Sequence, residues 1–523
     1  MKRRNVLAGI AVATAAVTAA LVAASVHAAS PTVTRGGTIT WACPQSNLTS
    51  LDPAVGTRSI CQRDAYRAMY DTLVSIDSKD HVTPQAAESW KIDYHNLRYT
   101  FKLRKGMRFH DGSPVTSADV KYSILRQLKN PTLGGRDLLT IKRVATPDPL
   151  TVRITLFKPN FVLFHYLAAT FDMPIVNKKV VEANNNDLTK ADAGSGPFML
   201  TDVNVATNGF ASFTAFKGYW EKAPDGKSYP YLDGFKLSCI VDANSRILNL
   251  RSNTVQLVEQ TPIDNIKDLA QAGFREVNNY GGIGSAFVMN EHVSPFDNPF
   301  ARRAVVEALD RPTIAKTWSN GKATLRVTNI AAGSAYDIKN VDAAKYDPEK
   351  AKADLAKAGL PNGFTFTDTI INQSPDLQVS QIIQQYLKAV GITMNIRTLD
   401  RATWLTETGL GKTAAMQQAG NVLVEPQVGI DRYMTEGLTH DRTQWDDSYQ
   451  RTALKAMQNA QKEPDKAKRK QYYAIVAKQV AAANTWVYLG NAPSPGFANA
   501  KLNGFTVKPE GELDIRHVWM QQT

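Results

Sequence analysis

Tyr99–Leu128, YTFKLRKGMRFHDGSPVTSADVKYSILRQL, decides how the chain is read. Tyr99, Phe101 and Leu103 alternate with Thr100, Lys102 and Arg104, the period-two pattern of a strand with one buried face. Phe109 is followed by His110-Asp111-Gly112, where glycine can take the positive φ of a tight turn. Pro114 stiffens the approach to Thr116, and Thr116 with Asp119 three residues on resembles a capping box. A helix is predicted from there, with Val120, Ile124, Leu125 and Leu128 as its apolar positions. Strand, turn and helix make a compact α/β unit, and nothing in it is equipped for catalysis.

Working outward, 523 residues at 43% apolar and 21% charged allow a soluble protein with roughly three domains' worth of core. Lys2, Arg3 and Arg4 contribute three of the +13 net charges, and the rest are dispersed. The densest cluster, Lys466–Lys470, lies on a polar helical segment without the interleaved aromatics that a nucleic-acid surface needs, so no nucleic-acid partner is expected. Residues 1–28 read as a secretory signal. Lys2-Arg3-Arg4 form its basic start, Val6–Ala24 its apolar centre, and Val26-His27-Ala28 a cleavage site that leaves Ala29 first. The arginine pair leaves general and twin-arginine export both open. No cysteine follows the apolar centre, so a lipid anchor is not expected, and no later run reaches the length of a membrane span. Cys43, Cys61 and Cys239 count as one disulfide and one thiol in an oxidising compartment. Cys43 and Cys61 are nearest in sequence, but the pairing stays open.

Further along, Gly37–Ala42 alternates as a strand, Gln62–Leu73 is a helical run, and Ile141–Val144 and Thr151–Leu156 are strands. Phe235–Val241 reads as a buried strand and Phe287–Asn290 as another. Helices are predicted from Ala301 to about Asp310, from Tyr346 to Gly359 and over Gln378–Val390, with strands at Ile392–Leu399 and Trp486–Leu489. No internal repeat breaks the pattern.

Several runs, taken as they stand, resemble one family. Residues 103–120 follow the block L-R-x-G-x-x-F-H-D-G-x-P-x-T-x-x-D-V of the peptide/nickel class of extracellular solute-binding proteins, family 5, which serve ATP-driven ABC importers. Leu51-Asp52-Pro53, Tyr70–Val74 (YDTLV), Pro84–Trp90 (PQAAESW) and Gly194–Phe198 (GSGPF) stand where that family has similar words. So do Tyr219-Trp220, Tyr231-Leu232-Asp233 and the run from Asn290 to Arg311. The resemblance spans about residues 35–520. The residues alone read Pro84–Trp90 as a turn that buries Trp90. They read the glycine run at 194–196 as a conformationally demanding crossover, since its spacing matches no nucleotide fingerprint.

The resemblance implies an α/β, bilobal periplasmic-binding-protein fold with mixed sheets flanked by helices and a hinge of two crossing segments, near 282–290 and 488–493. It implies domain I in three parts (29–75, 194–284 and 489–523), domain II at 76–193 and domain III at 285–488. The implied role is an exported receptor that captures a small-molecule or peptide-like ligand by hinge closure and passes it to the permease subunits of an importer. A monomer in the periplasm or at the cell envelope is expected. A secreted hydrolase or transferase, or a ligand sensor on the same fold, is the alternative. Ligand contacts implied by position are Thr57, Arg58 and Ser59; Gln418, Gly420, Asn421, Val422 and Glu425; and Tyr488 with Asn491. Trp404 is added as a stacking residue, although a tryptophan is more often core. Arg58 suits a carboxylate or phosphate.

One departure bears on ligand class. Peptide-binding members write A-G-W-x-x-D-Y-x-x-P, whose acid meets the peptide's terminal amine, whereas Ala419–Pro426 here is AGNVLVEP. The aromatic and the aspartate are gone, and only Glu425 remains beside the proline. No cofactor, metal or catalytic group is expected. Gly411-Lys412-Thr413 lacks the upstream glycine of a phosphate loop, since position 406 is Thr, and the eight histidines include no i,i+4 pair. No nucleophile elbow is present.

Overall fold

A computed structural model describes residues 33–521, apart from 46–47, 57–58, 78, 94, 96, 130–137, 170–172, 278–282, 326–329, 331–333, 339–340, 342–343, 373–374, 410, 422–424, 428–447 and 508–512. The signal segment and its cleavage site lie outside the described residues. The deciding stretch folds as read: strand Arg98–Leu103 buries Tyr99, Phe101 and Leu103, and helix Ser117–Leu128 follows. Asp119 Oδ2 accepts from both the backbone N–H and the hydroxyl of Thr116, at 3.0 and 2.6 Å. Leu125 is the exception. Val120 and Ile124 fall one turn apart on the core stripe, whereas Leu125 turns away from it and is 43% exposed.

This stretch belongs to a four-stranded antiparallel sheet in the order Ala87–Asp93, Arg98–Leu103, Thr151–Leu156, Ile141–Asp148. Trp90 lies in its first strand, half-buried against Phe164 rather than sealed under a turn. The period of two puts Trp90 opposite Phe101 at the sheet's first strand, where cover is incomplete.

A seven-stranded mixed sheet forms the base of the first lobe. Its order is Arg275–Val277, Gly496–Ala498, Leu257–Val258, Thr38–Cys43, Gly234–Cys239, Phe210–Ala215, Phe198–Asn204. Thr38–Cys43 runs parallel to both Gly234–Cys239 and Leu257–Val258. Helix Ile60–Met69 covers one face, and helices Ala243–Arg251 and Ile263–Gln271 the other. The 60–69 helix is shorter than the predicted run. Tyr70 turns extended, and the next residue, Asp71, is held by Gln85, Ser195 and Tyr219 at 3.0–3.2 Å.

A five-stranded sheet, Thr393–Leu399, Thr365–Ile371, Ala415–Asn421, Ile283–Met289, Trp486–Ala492, forms the second lobe. Helices 299–307, 311–318, 348–357 and 376–388 pack on one face, and 401–409, 448–462 and 466–483 on the other. The strand expected over 235–241 ends at Cys239, leaving Val241 43% exposed. The helix expected from 301 to about 310 runs Pro299–Glu307, and Asp310 then caps the next helix, Arg311–Trp318.

Cys43 and Cys61 form the disulfide, tying the end of one strand to the start of the 60–69 helix. Cys239 lies beside Cys43 in register as the buried thiol, and burial pushes it up to about 12. Among the described residues no helix is long and apolar enough to cross a membrane.

Candidate functional site

The two large sheets meet at a pair of neighbouring strands. The chain leaves the first sheet at Val277 and enters the second at Ile283, then leaves the second at Ala492 and returns at Gly496. Ile283 and Ala492 are register partners, so the chain enters and leaves the second sheet on adjacent strands at the same end. In the first lobe the strands ending at Cys43, Cys239, Val258 and Val277 all point their carboxyl ends toward these crossings. In the second, Ile283 pairs with Asn421, so the parallel strands 365–371, 393–399 and 415–421 point theirs the same way. Each lobe therefore offers the other the edge at which open α/β sheets hold ligands.

At the first lobe's edge, Glu259, Gln260 and Thr261 follow the short strand Leu257–Val258. Glu259 and Thr261 are each 4% exposed, and Glu259 Oε2 and Thr261 Oγ1 have no hydrogen-bond partner in the protein. Burial pushes the Glu259 carboxyl up to about 7, against the pull of Asp64, Arg63 and Arg246. Arg246 spends its guanidinium on the carbonyls of Ile240, Val241 and Gln260 at 2.7–3.1 Å, which fixes the loop. The Thr261 amide donates to Pro495 O at 2.9 Å and ties this edge to the returning segment.

In the second lobe, register gathers residues that lie far apart in sequence. Ala286 stands opposite Gln418 and Tyr488, Gly284 opposite Gly420 and Asn491, and Ile283 opposite Asn421. Asn491 exchanges both backbone hydrogen bonds with Thr324, at 2.8 and 2.9 Å. Its side chain is 7% exposed, and neither Nδ2 nor Oδ1 has a protein partner. A buried amide with both ends unmet costs free energy until a ligand or water meets it.

Other predicted contacts sit elsewhere. Ser59 is the helix cap: its hydroxyl accepts from Gln62 N at 3.4 Å and its N–H donates to Gln62 Oε1 at 3.1 Å. Thr57, Arg58 and Val422 lie outside the described residues. The segment that precedes residue 57 is anchored by Asp52, whose buried carboxylate takes both guanidinium ends of Arg126, at 2.8 and 2.5 Å. Trp404 is a core residue, 3% exposed, with its indole N–H on Thr369 O at 2.9 Å. Tyr488 is 4% exposed and stacks on Trp486 at 5.7 Å in the same cluster. Glu425 is buried; its Oε1 accepts the Tyr473 hydroxyl at 2.5 Å, while its Oε2 has no hydrogen-bond partner in the protein. Glu259 and Thr261 were not among the predicted contacts. Their sequence signal is faint, a polar run directly after a short apolar strand, and it acquires meaning only through sheet order.

The HDG turn also finds its role here. His110 places Nδ1 2.7 Å from Asp192 Oδ1 and Nε2 2.9 Å from Gly196 O, while its backbone N–H donates to Gly194 O. Asp111 accepts from Ser113 and from Asn177, the cap of helix Lys178–Ala183. The motif clamps the four-stranded unit to the seven-stranded sheet.

The model of bacterial extracellular solute-binding proteins, family 5 Middle, matches residues 81–436, more than half of the chain. The chain belongs to this family. The glutathione-binding protein GsiB of Escherichia coli (strain K12) is 30% identical over 366 residues, covering 68% of each chain. Among solved structures, the fold is similar to DppA from Helicobacter pylori in complex with peptide STSA, at TM-score 0.83 and 22% identity over 94% of this chain and 99% of that one. AgaA from A. tumefacien R10 in complex with agropinic acid is similar too, at TM-score 0.83 and 24% identity over 93% and 99%. This solute-binding protein is therefore a transport receptor of ABC importers and not an enzyme. Its mixed, helix-flanked sheets are those of the family's fold.

Proposed function

We propose that this solute-binding protein takes a small polar ligand between the carboxyl edges of its two lobes, where Glu259, Thr261 and Asn491 meet it. The unpartnered, buried amide of Asn491 carries this reading, because it lies on a crossing strand beside Gly284 and Gly420. Gln418, Asn421, Thr57 and Arg58 complete the proposed seat, with the lobes divided as domain I (29–75, 194–284, 489–523), domain II (76–193) and domain III (285–488). The mature chain starts at Ala29, acts as a monomer outside the cytoplasmic membrane, and closes about the crossing strands on ligand.

The ligand class follows from charge. A buried terminal amine needs a carboxylate. The family's aspartate is absent from 419–426, and one oxygen of the buried Glu425 is taken by Tyr473. A Glu259 carboxyl held up to about 7 donates as well as accepts at neutral pH, which suits hydroxyl and amide groups. Arg58 adds a cation for an acidic group. Among the similar structures, AgaA was solved with an acid, agropinic acid.

Calorimetry with tri- to pentapeptides, their amine-acetylated forms and a set of hydroxylated carboxylic acids is the test. Free-amine peptides are expected to bind weakly and acetylation to change little, with an acid preferred. Asn491→Ala is expected to weaken the preferred compound about tenfold. Micromolar peptide binding that acetylation abolishes overturns the reading.

A further inference from the structure

The lobes also touch through residues outside the crossing strands. Asp80 sits on the turn between strands Val74–Ile76 and Val82–Pro84, in the left-handed region at φ +63°. Its carboxylate takes His165 Nε2 at 2.8 Å from within its own lobe. From the other lobe, Lys466 Nζ donates to its Oδ2 at 2.6 Å and reaches its carbonyl at 3.3 Å. Lys466 is the first residue of helix 466–483, and Gln461 lies near the end of helix 448–462. At the same helix–helix turn, the Phe161 amide donates to Gln461 O at 2.9 Å. The Asp80 side chain is 8% exposed and that of Lys466 46%. Burial opposes ionisation of Asp80, yet the hydrogen bonds from His165 and Lys466 hold it down to about 2. The left-handed backbone and the His165 bond aim the carboxylate before Lys466 arrives.

We propose that Asp80 with Lys466, and Phe161 with Gln461, form a latch between the lobes. It lowers the free energy of the closed form independently of ligand, so the receptor spends part of its time closed when empty. Such a contact slows ligand escape without touching ligand, because release requires the latch to open.

The test uses the full mature chain freed of small molecules, with spin labels at Leu139→Cys and Tyr449→Cys. Both positions are exposed, and they lie on opposite lobes. The native cysteines are a disulfide and a buried thiol and take no label. Pulsed-dipolar distances are expected to show a short, closed population in the unaltered receptor. Lys466→Ala is expected to raise the open-to-closed ratio about two- to fivefold, and Asp80→Asn to raise it further. The double variant is expected to fall short of the product of the two, since both remove one contact. Lys466→Ala sits on a half-exposed side chain and keeps the test valid should Asp80→Asn fold poorly. A wild-type population that is wholly open, or a distance distribution that Lys466→Ala leaves unchanged, overturns the latch.

Discussion

Gly194→Ala is expected to destabilise the receptor by about 3 kcal/mol or more. A β-carbon at residue 194 would lie 1.9 Å from Met69 O, and one at 196 would lie 2.6 Å from Ala68 O. Both obstacles are backbone at the end of the 60–69 helix, so neither can swing aside as a flexible side chain would. Moving the crossover away would break the Gly196 N–H to Met69 O hydrogen bond at 2.8 Å. It would also break the His110 N–H to Gly194 O bond at 2.9 Å. Ser195→Ala between them deletes only a 3.0 Å hydrogen bond to Asp71 and is expected to cost about 1 kcal/mol. Urea unfolding followed by fluorescence separates the two. A Gly194→Ala variant as stable as Ser195→Ala would contradict the close-approach account.

Asp368→Asn is expected to stabilise the receptor at alkaline pH and to do nothing near pH 4. Asp368 lies in the second-lobe strand 365–371, fully buried. Ser380 Oγ donates to Oδ2 at 2.7 Å, while Oδ1 has no partner. Burial pushes the carboxyl from 3.8 up to about 7. The native state therefore holds a proton that the unfolded chain releases. Stability from this group is fully present below about pH 4 and is lost as pH rises through 7. The displacement from 3.8 to about 7 corresponds to about 4 kcal/mol. Asparagine removes the ionisable group and keeps an acceptor for Ser380, so about 2 kcal/mol or more should return at pH 8. Urea midpoints at pH 4.5, 6 and 8 give the comparison, and parallel pH profiles for the two proteins would rule the account out.

Much of the architecture was legible because local patterns and long words agreed. Tyr99, Phe101 and Leu103 declared their buried face by period alone, and Thr116 with Asp119 declared the helix start. The family block added what no periodicity holds, two lobes and a non-catalytic role. Leu125 shows the limit of pattern reading, since adjacent helical residues point about 100° apart and periodicity alone did not show that Ile124 faces the core while Leu125 does not. Trp404 shows another, because a large aromatic gives no sign in sequence of whether its ring meets ligand or core. The polar edge at Glu259 and Thr261 arises from strand order, and the pairing of Asp80 with Lys466 from lobe packing across 386 residues. Neither has a local cause that a sequence window could reveal. Asn491 was named from position, and its buried, unmet amide is a property of the folded chain alone.

Native mass spectrometry of the exported receptor, purified without unfolding, tests the central claim most directly. One small polar molecule per chain, lost on denaturation and markedly depleted from Asn491→Ala, is the predicted result, on a polypeptide whose mass begins at Ala29. A wild-type spectrum without any bound small molecule, or an adduct retained in full by Asn491→Ala, would contradict it.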